Sequence, residues 1–92
     1  MKELQAEVLH QVGLHARPAA KFVKTAKGFE SDIQIRNVTR ESDTVNAKSL
    51  AKVVKIAAAQ HHTVYITAEG SDEDAAIDAL RDFLTNVSEG ES

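Results

Sequence analysis

Three segments of this 92-residue chain alternate apolar with polar residues, and this alternation limits the fold more than any other feature. The apolar positions are Leu4, Ala6 and Val8, then Ile33 and Ile35, then Val64, Ile66 and Ala68. A period of two is typical of strands with one buried face. A weaker fourth strand at residues 44–46 is predicted to pair with residues 33–37 across a polar hairpin. One face of the sheet should be covered and the other should meet water.

Two amphipathic segments predict lysine-bearing helices. Residues 16–28 place Ala19, Phe22, Val23 and Ala26 on one side and Arg17, Lys21, Lys24 and Lys27 on the other. The second helix is predicted to begin with Asn46 as its N-cap. Its core positions would be Leu50, Val53 and Ala57, with Lys48, Lys52 and Lys55 on a separate stripe. Both helices should therefore present lysine to solvent.

A third helix completes the predicted order βαββαβα. Ser71 and Asp74 have the spacing of a capping box, and the apolar face comprises Ala76, Ile77, Leu80, Phe83, Leu84 and Val87. Helices that all cover one face of the sheet give an α/β (α+β) open-faced sandwich. We expect one domain over residues 1–88 and a polar tail over residues 89–92.

The segment Gly13-Leu14-His15-Ala16-Arg17-Pro18 predicts a phosphate site. Pro18 suits a first helical turn because its φ is preset and it has no N–H to leave unpaired. His15 would then lie beside free N–H groups that attract an anion, and Arg17 can donate to phosphate oxygens. A neutral imidazole is a nucleophile in such a setting. The alternative is a histidine that only caps the helix or lies in a loop.

Three stretches of the chain resemble the HPr family, the histidine phosphocarriers of the bacterial sugar phosphotransferase system. They are GLHARPAAKFVKTAKGFESDIQI, NAKSLAKV and ITAEGSDEDAAIDAL, and the resemblance spans essentially the whole chain with one insertion between Asn37 and Asp43. It implies a four-stranded antiparallel sheet with three helices on one side. It also implies that His15 is the phosphorylated residue and that Arg17 is its partner.

The resemblance further implies that His15 receives its phosphoryl group from enzyme I and passes it to sugar-specific acceptor domains. The chain would be a phosphoryl-transfer intermediate rather than a stand-alone enzyme, with no cofactor and no metal. The expected docking residues are Ala16, Lys24, Lys27, Lys48, Leu50, Lys52, Val54 and Lys55. Leu50, Ala51, Val54 and Ala58 would form an exposed apolar flank, although Leu50 and Val54 could instead be peripheral core. Ala51 stands where family members often carry Phe or Met.

Ser49 is a candidate regulatory site. Its Lys-Ser context resembles the serine that a kinase phosphorylates in many Gram-positive members of the family. A phosphate there would place negative charge in the middle of the lysine face and weaken the docking of acidic partners. The alternative is a solvent-facing residue at the start of a helix.

The charge distribution favours protein partners over nucleic acid. The net charge is −3, yet residues 16–58 carry nine Lys or Arg and four acids, whereas residues 69–92 carry eight acids and one Arg. A nucleic-acid-binding domain is usually basic throughout. The chain has no cysteine, which suits a reducing compartment. We expect a cytoplasmic monomer that inserts into no membrane.

Two other functions remain open at this point. The same basic face could serve a regulatory binding module, or a paralogue in nitrogen regulation or in a dedicated kinase system. The pair His15 and Arg17 favours a carrier, because a pure binding module needs no nucleophile there. A hydrolase is the least favoured class, since the sequence contains no carboxylate dyad or Ser-His-Asp pattern.

Overall fold

Four segments form a single antiparallel sheet in the computed structural model, which describes residues 1–9 and 16–85. The strands are β1 (Lys2–Glu7), β2 (Asp32–Asn37), β3 (Val45–Asn46) and β4 (Thr63–Glu69). They lie side by side in the order β1-β4-β2-β3. Each of the three pairings is antiparallel. The predicted pairing of the weak strand β3 with β2 is confirmed.

The alternation in the sequence becomes the two faces of this sheet. Ile66 in β4 is opposite Leu4 in β1 and Ile35 in β2, and all three side chains are buried. Gln34, one residue away from Ile35, is exposed. Since successive side chains of a strand point to opposite faces, one face is apolar and covered, and the other is polar.

Three helices supply the cover: α1 (Ala16–Lys27), α2 (Leu50–Lys55) and α3 (Glu73–Thr85). α3 packs on β1 and β4, and α1 packs against α2 and α3. The predicted inner faces of α1 and α3 are buried, and the rings of Phe22 and Phe83 meet edge-on at 5.7 Å. The predicted order βαββαβα is therefore confirmed. Val87 and the residue 88 boundary lie outside the described residues, as does the tail 89–92.

The predicted start of the second helix is wrong. Asn46 belongs to β3, and its Oδ1 accepts a hydrogen bond from the Lys48 N–H at 2.9 Å, while its carbonyl accepts the Ser49 N–H. An Asn side chain that bonds two residues ahead makes a turn that competes with the helix. Ser49 is the N-cap instead, so α2 begins three residues later than predicted.

The predicted end of the second helix also needs correction. Ala57 has φ 53°, a left-handed conformation that ends the helical path. Beyond it, Ala58 is fully buried, although it was expected on an exposed flank. Ala57 is only half-buried, although it was expected in the core. Because the backbone changes direction at Ala57, Ala58 is the residue buried in the core and Ala57 is partly exposed.

The prediction of a capping box at Ser71 and Asp74 is wrong, because the hydrogen bond of this kind lies one residue earlier, between Gly70 and Glu73. α3 begins at Glu73, and its first intrahelical hydrogen bond runs from the Ala76 N–H to the Asp72 carbonyl. The Glu73 carboxylate reaches back to the Gly70 N–H at 3.0 Å. The Asp72 carboxylate accepts hydrogen bonds from the Glu30 N–H and from the N–H and hydroxyl of Ser31. The start of α3 is thereby fastened to the start of β2.

Candidate functional site

The first turn of α1 forms one side of the candidate site. Ala16 is the first helical residue, and Pro18 is buried in the first turn, as predicted. Arg17 is exposed, and the turn contains no acidic residue. Gly13, Leu14, His15 and His10 lie outside the described residues, as does the side chain of Ala16.

This helix start favours an anion. The first N–H groups of a helix have no partner within it, and the helix dipole adds partial positive charge at the same end. No carboxylate in the turn offsets that charge, and the guanidinium of Arg17 adds to it. A phosphoryl group beside this end of α1 would meet several hydrogen-bond donors.

A shallow groove lies where α1 meets α2. Its volume is about 260 Å³, and it is lined by Ala20, Val23, Lys24, Lys27 and Leu50. Leu50 is 45% exposed and Val54 is 37% exposed. Because more than a third of each residue is exposed, they form an apolar surface rather than peripheral core. Ala51 is exposed beside them.

Four of the predicted docking lysines lie around this apolar surface and expose their ammonium groups. Lys24, Lys27, Lys52 and Lys55 are all exposed. None of them has a carboxylate within 4 Å among residues 1–9 and 16–85. Lys52 and Lys55 border a second hollow of about 370 Å³ against the loop between β2 and β3. Exposed and unpaired ammonium groups are available to attract an acidic partner.

Lys48 differs from these four lysines. It is half-buried, and its Nζ donates a hydrogen bond to the carbonyl of Phe29 at 2.8 Å. The sequence contained no signal for this contact, because Lys48 and Phe29 are 19 residues apart. Within residues 1–9 and 16–85, the five predicted docking lysines thus comprise four whose ammonium groups have no carboxylate partner and one, Lys48, that is bonded to a carbonyl.

Ser49 lies at the N-cap of α2 rather than in its first turn. Its carbonyl accepts the Val53 N–H at 3.0 Å, but its hydroxyl makes no capping hydrogen bond. The side chain is half-buried. The hydroxyl is therefore not committed to holding the helix start.

The adjacent histidines His61 and His62 lie before the start of β4 and have separate partners. His61 Nδ1 lies 2.7 Å from the Glu7 carboxylate, whereas His62 Nδ1 lies 3.1 Å from the Asn37 amide. The described part of the chain contains no group of three or more residues that could hold a metal ion.

Among residues 1–9 and 16–85, the pKa values that depart from their ordinary range belong to residues outside this site. The hydroxyl of Ser31 and the N–H of Glu30 lower the pKa of Asp72. The N–H of Gly70 and then the N-terminal ammonium lower the pKa of Glu73. A hydrogen bond with Glu3 raises the pKa of Tyr65 on the open face of the sheet. These shifts stem from hydrogen bonds that hold the fold together.

The comparisons with known proteins identify the family. The family model described as "PTS HPr component phosphorylation site" matches residues 2–86. This chain belongs to the HPr family. Phosphocarrier protein HPr of Haloferax volcanii is 42% identical over 83 residues, which cover 90% of this chain and 92% of that protein.

A solved structure of the HPr family has the same fold. The crystal structure of HPr-C-His from Thermoanaerobacter tengcongensis superimposes with a TM-score of 0.88 at 40% identity. The match covers all of this chain and 98% of that one. The predicted open-faced sandwich is confirmed.

The HPr domain also occurs within much longer proteins. The multiphosphoryl transfer protein of Haemophilus influenzae is 43% identical over 79 residues, which are 86% of this chain but only 16% of that protein. At the level of the family, the prediction of a phosphocarrier is confirmed, and the comparisons do not favour a regulatory binding module.

Proposed function

We propose that His15 is the phosphoryl-carrying residue of this HPr domain, receiving the group from enzyme I and passing it to sugar-specific acceptor domains. The main support is the first turn of α1, where Arg17 is exposed and no acidic residue opposes an anion. His15 directly precedes the first residue of this helix in the sequence. The match to the HPr family supports a carrier role.

The transfer exchanges one nitrogen–phosphorus bond for another. A ring nitrogen of neutral His15 attacks the phosphorus of the phosphohistidine of enzyme I. The new bond forms as the bond to the donor imidazole breaks, and the donor keeps the electron pair. The group then leaves for the acceptor domain in the same way. The charge spread over the phosphoryl oxygens during transfer would be stabilised by the donors of α1 and by Arg17.

The docking surface of the carrier would extend from α1 to α2. It consists of the apolar residues Leu50 and Val54 and the lysines Lys24, Lys27, Lys52 and Lys55, with Ala16 at the edge. An apolar centre with a charged rim is typical of transient protein interfaces. The lysines would steer acidic partners toward the groove, and salt would weaken this effect.

Ser49 would be a regulatory phosphorylation site for a serine kinase and its phosphatase. Support comes from its hydroxyl, which makes no capping hydrogen bond, and from its place next to Leu50. A phosphate there would add about −1.5 to −2 charges beside the lysine face, so acidic partners would dock more weakly. Phosphorylation by a kinase, detected by mass and absent in Ser49→Ala, tests this role.

The protein would act as a monomer in the cytoplasm, where enzyme I is expected to meet it. No helix within residues 1–9 and 16–85 is long and apolar enough to cross a bilayer. Light scattering during gel filtration tests the monomer, with a mass near 10.0 kDa as the expected result.

Intact-mass analysis tests the carrier role. The protein and His15→Ala are incubated with enzyme I and phosphoenolpyruvate, with and without mild acid afterwards. The expected result is one added phosphate on the wild type, lost in acid, and none on His15→Ala. An acid-labile phosphate on His15→Ala would assign carriage to another residue, and no phosphate on either protein would contradict the carrier role.

A further inference from the structure

Lys48 connects two segments that the sequence does not place together. Its ammonium donates to the carbonyl of Phe29 in the loop that follows α1, and its own N–H donates to Asn46 Oδ1. Phe29 is itself fixed to α1, because its N–H donates to the Ala26 carbonyl. One side chain therefore joins the approach to α2 with the end of α1.

The surroundings of Lys48 separate it from the docking lysines. Lys48 borders a small hollow of about 140 Å³ that it shares with Asp32 and Asn46. Lys52 and Lys55 border a different hollow, and Lys24 and Lys27 line the groove between α1 and α2. Because its ammonium already donates to the Phe29 carbonyl, Lys48 has fewer free N–H donors to offer a partner.

The segment that Lys48 holds leads directly into the groove. Ala47 is fully buried, and its N–H donates to the Ile33 carbonyl at 2.9 Å. Leu50 follows Lys48 by two residues and lines the groove together with residues of α1. The distance between the two walls of the groove thus depends on how the 46–49 turn is fastened to α1.

We infer that Lys48 is a positioning residue, which fixes the start of α2 against the end of α1 and thereby holds Leu50 in the docking groove. This role rests on the proposed function, because the groove matters only if partners dock there. It differs from the electrostatic role expected of Lys52, which acts at a distance and is screened by salt.

The test compares Lys48→Met, which keeps the aliphatic stem but removes the donor, with Lys48→Arg and Lys52→Met. Backbone amide chemical shifts of the free proteins report the local structure. KM and kcat for phosphoryl transfer from enzyme I are measured at low salt and at about 1 M salt, where the screening length falls to about 3 Å. Urea unfolding establishes that each variant is folded.

For Lys48→Met we expect shifts at both Phe29 and Leu50, and a KM raised about threefold or more at either salt concentration, with kcat nearly unchanged. Lys48→Arg keeps a donor at this position, so its Phe29 and Leu50 amide shifts and its KM should stay close to those of the wild type. Lys52→Met should raise KM at low salt alone. A KM effect of Lys48→Met that disappears at high salt, or an unchanged Leu50 amide, would overturn the positioning role. If the wild type accepts no phosphate, the carrier proposal fails, while the amide shifts still decide whether Lys48 holds Leu50.

Discussion

The side-chain amide of Asn37 lies 3.1 Å from Nδ1 of His62, and this contact links the end of β2 to the approach to β4. Asn37 is completely buried at the end of β2. Its Nδ2 also donates to the Ile56 carbonyl at 3.0 Å, and its Oδ1 accepts the Arg40 N–H at 3.2 Å. The loop between β2 and β3, the end of α2 and the approach to β4 are thus held by one amide.

The first prediction concerns the proton positions of the two adjacent histidines. The Ala59 N–H, which can only donate, points to His62 Nδ1 at 3.1 Å, so this nitrogen must be an acceptor and the proton belongs on Nε2. The Glu7 carboxylate can only accept, so His61 Nδ1 must carry a proton. Long-range ¹H–¹⁵N spectra at neutral pH should show an unprotonated Nδ1 in His62 and a protonated Nδ1 in His61. A protonated His62 Nδ1 would contradict the network.

The second prediction is that Asn37→Leu strongly destabilises the fold. The apolar side chain would leave the Ile56 carbonyl and the Arg40 N–H without their partner, at a cost of about 2–3 kcal/mol in the free energy of unfolding. Gln34→Leu makes the same chemical change at an exposed position of the same strand. It should alter stability by less than about 0.5 kcal/mol. Urea denaturation compares the free energies of unfolding of the two variants. Equal losses of stability would refute the buried network.

A third prediction follows from the left-handed Ala57. A residue with a Cβ pays about 1–2 kcal/mol for this conformation, whereas glycine does not. Glycine also costs about 0.4–1 kcal/mol through the greater freedom of the unfolded chain. Ala57→Gly should therefore stabilise the protein by about 0.5–1 kcal/mol. Ala51→Gly, inside α2, should destabilise it by a similar amount. Thermal unfolding of both variants measures these changes in stability. An Ala57→Gly protein that is less stable than the wild type would contradict the prediction.

The fourth prediction concerns pH. The hydroxyl of Ser31 and the N–H of Glu30 lower the pKa of Asp72 in the folded protein. A lowered folded pKa stabilises the fold above the unfolded pKa, about 3.9, and that contribution is lost as the pH falls through the folded value. Asp72→Asn should therefore be less stable than wild type at neutral pH, and the gap should narrow below about pH 4.

Chemical denaturation across this pH range tests the effect of Asp72, and Asp82→Asn is the control. Asp82 is exposed on α3, the helix that follows Asp72, and has no hydrogen-bond or ion-pair partner among the described residues. Its substitution should leave the pH dependence nearly unchanged. If the difference in the free energy of unfolding between wild type and Asp72→Asn did not change with pH, the lowered pKa would be excluded as its cause.

The fifth prediction concerns the apolar part of the docking surface. Leu50→Ala removes most of a side chain that is already 45% exposed, so stability should fall little. If Leu50 anchors a partner, KM for transfer from enzyme I should rise by about fivefold or more while kcat stays close to wild type. Gln34→Ala, on the open face of the sheet, should leave KM unchanged. Equal KM values for the two variants would remove Leu50 from the docking surface.

Periodic patterns predicted the fold well, because burial in this sheet follows strict alternation. The three strong strands, the inner faces of α1 and α3, and the order of elements all follow from that signal. The helix boundaries were harder to predict. Asn46 is a good N-cap by type, but its side chain closes a turn instead, and the choice depends on whether Val45 and Asn46 pair with β2.

The features that escaped prediction, in the site and elsewhere in the fold, depend on contacts between distant residues. Nothing local indicates that Lys48 would bond to Phe29 rather than face solvent. Asn37 did carry a signal, since it continues the alternation of Ile33 and Ile35 and so points into the core. A polar residue at such a position requires partners. The residues that meet this requirement, His62, Ile56 and Arg40, could only be found in three dimensions.

The place of β1 at the edge of the sheet has a consequence for synthesis of the chain. β1 pairs with β4 alone, and the pairing of Leu4 with Ile66 closes a loop of about 60 residues. During translation β1 is made about 60 residues before its partner β4. Such non-local pairing slows folding. Until β4 has left the ribosome, β1 therefore has no strand of this sheet to pair with.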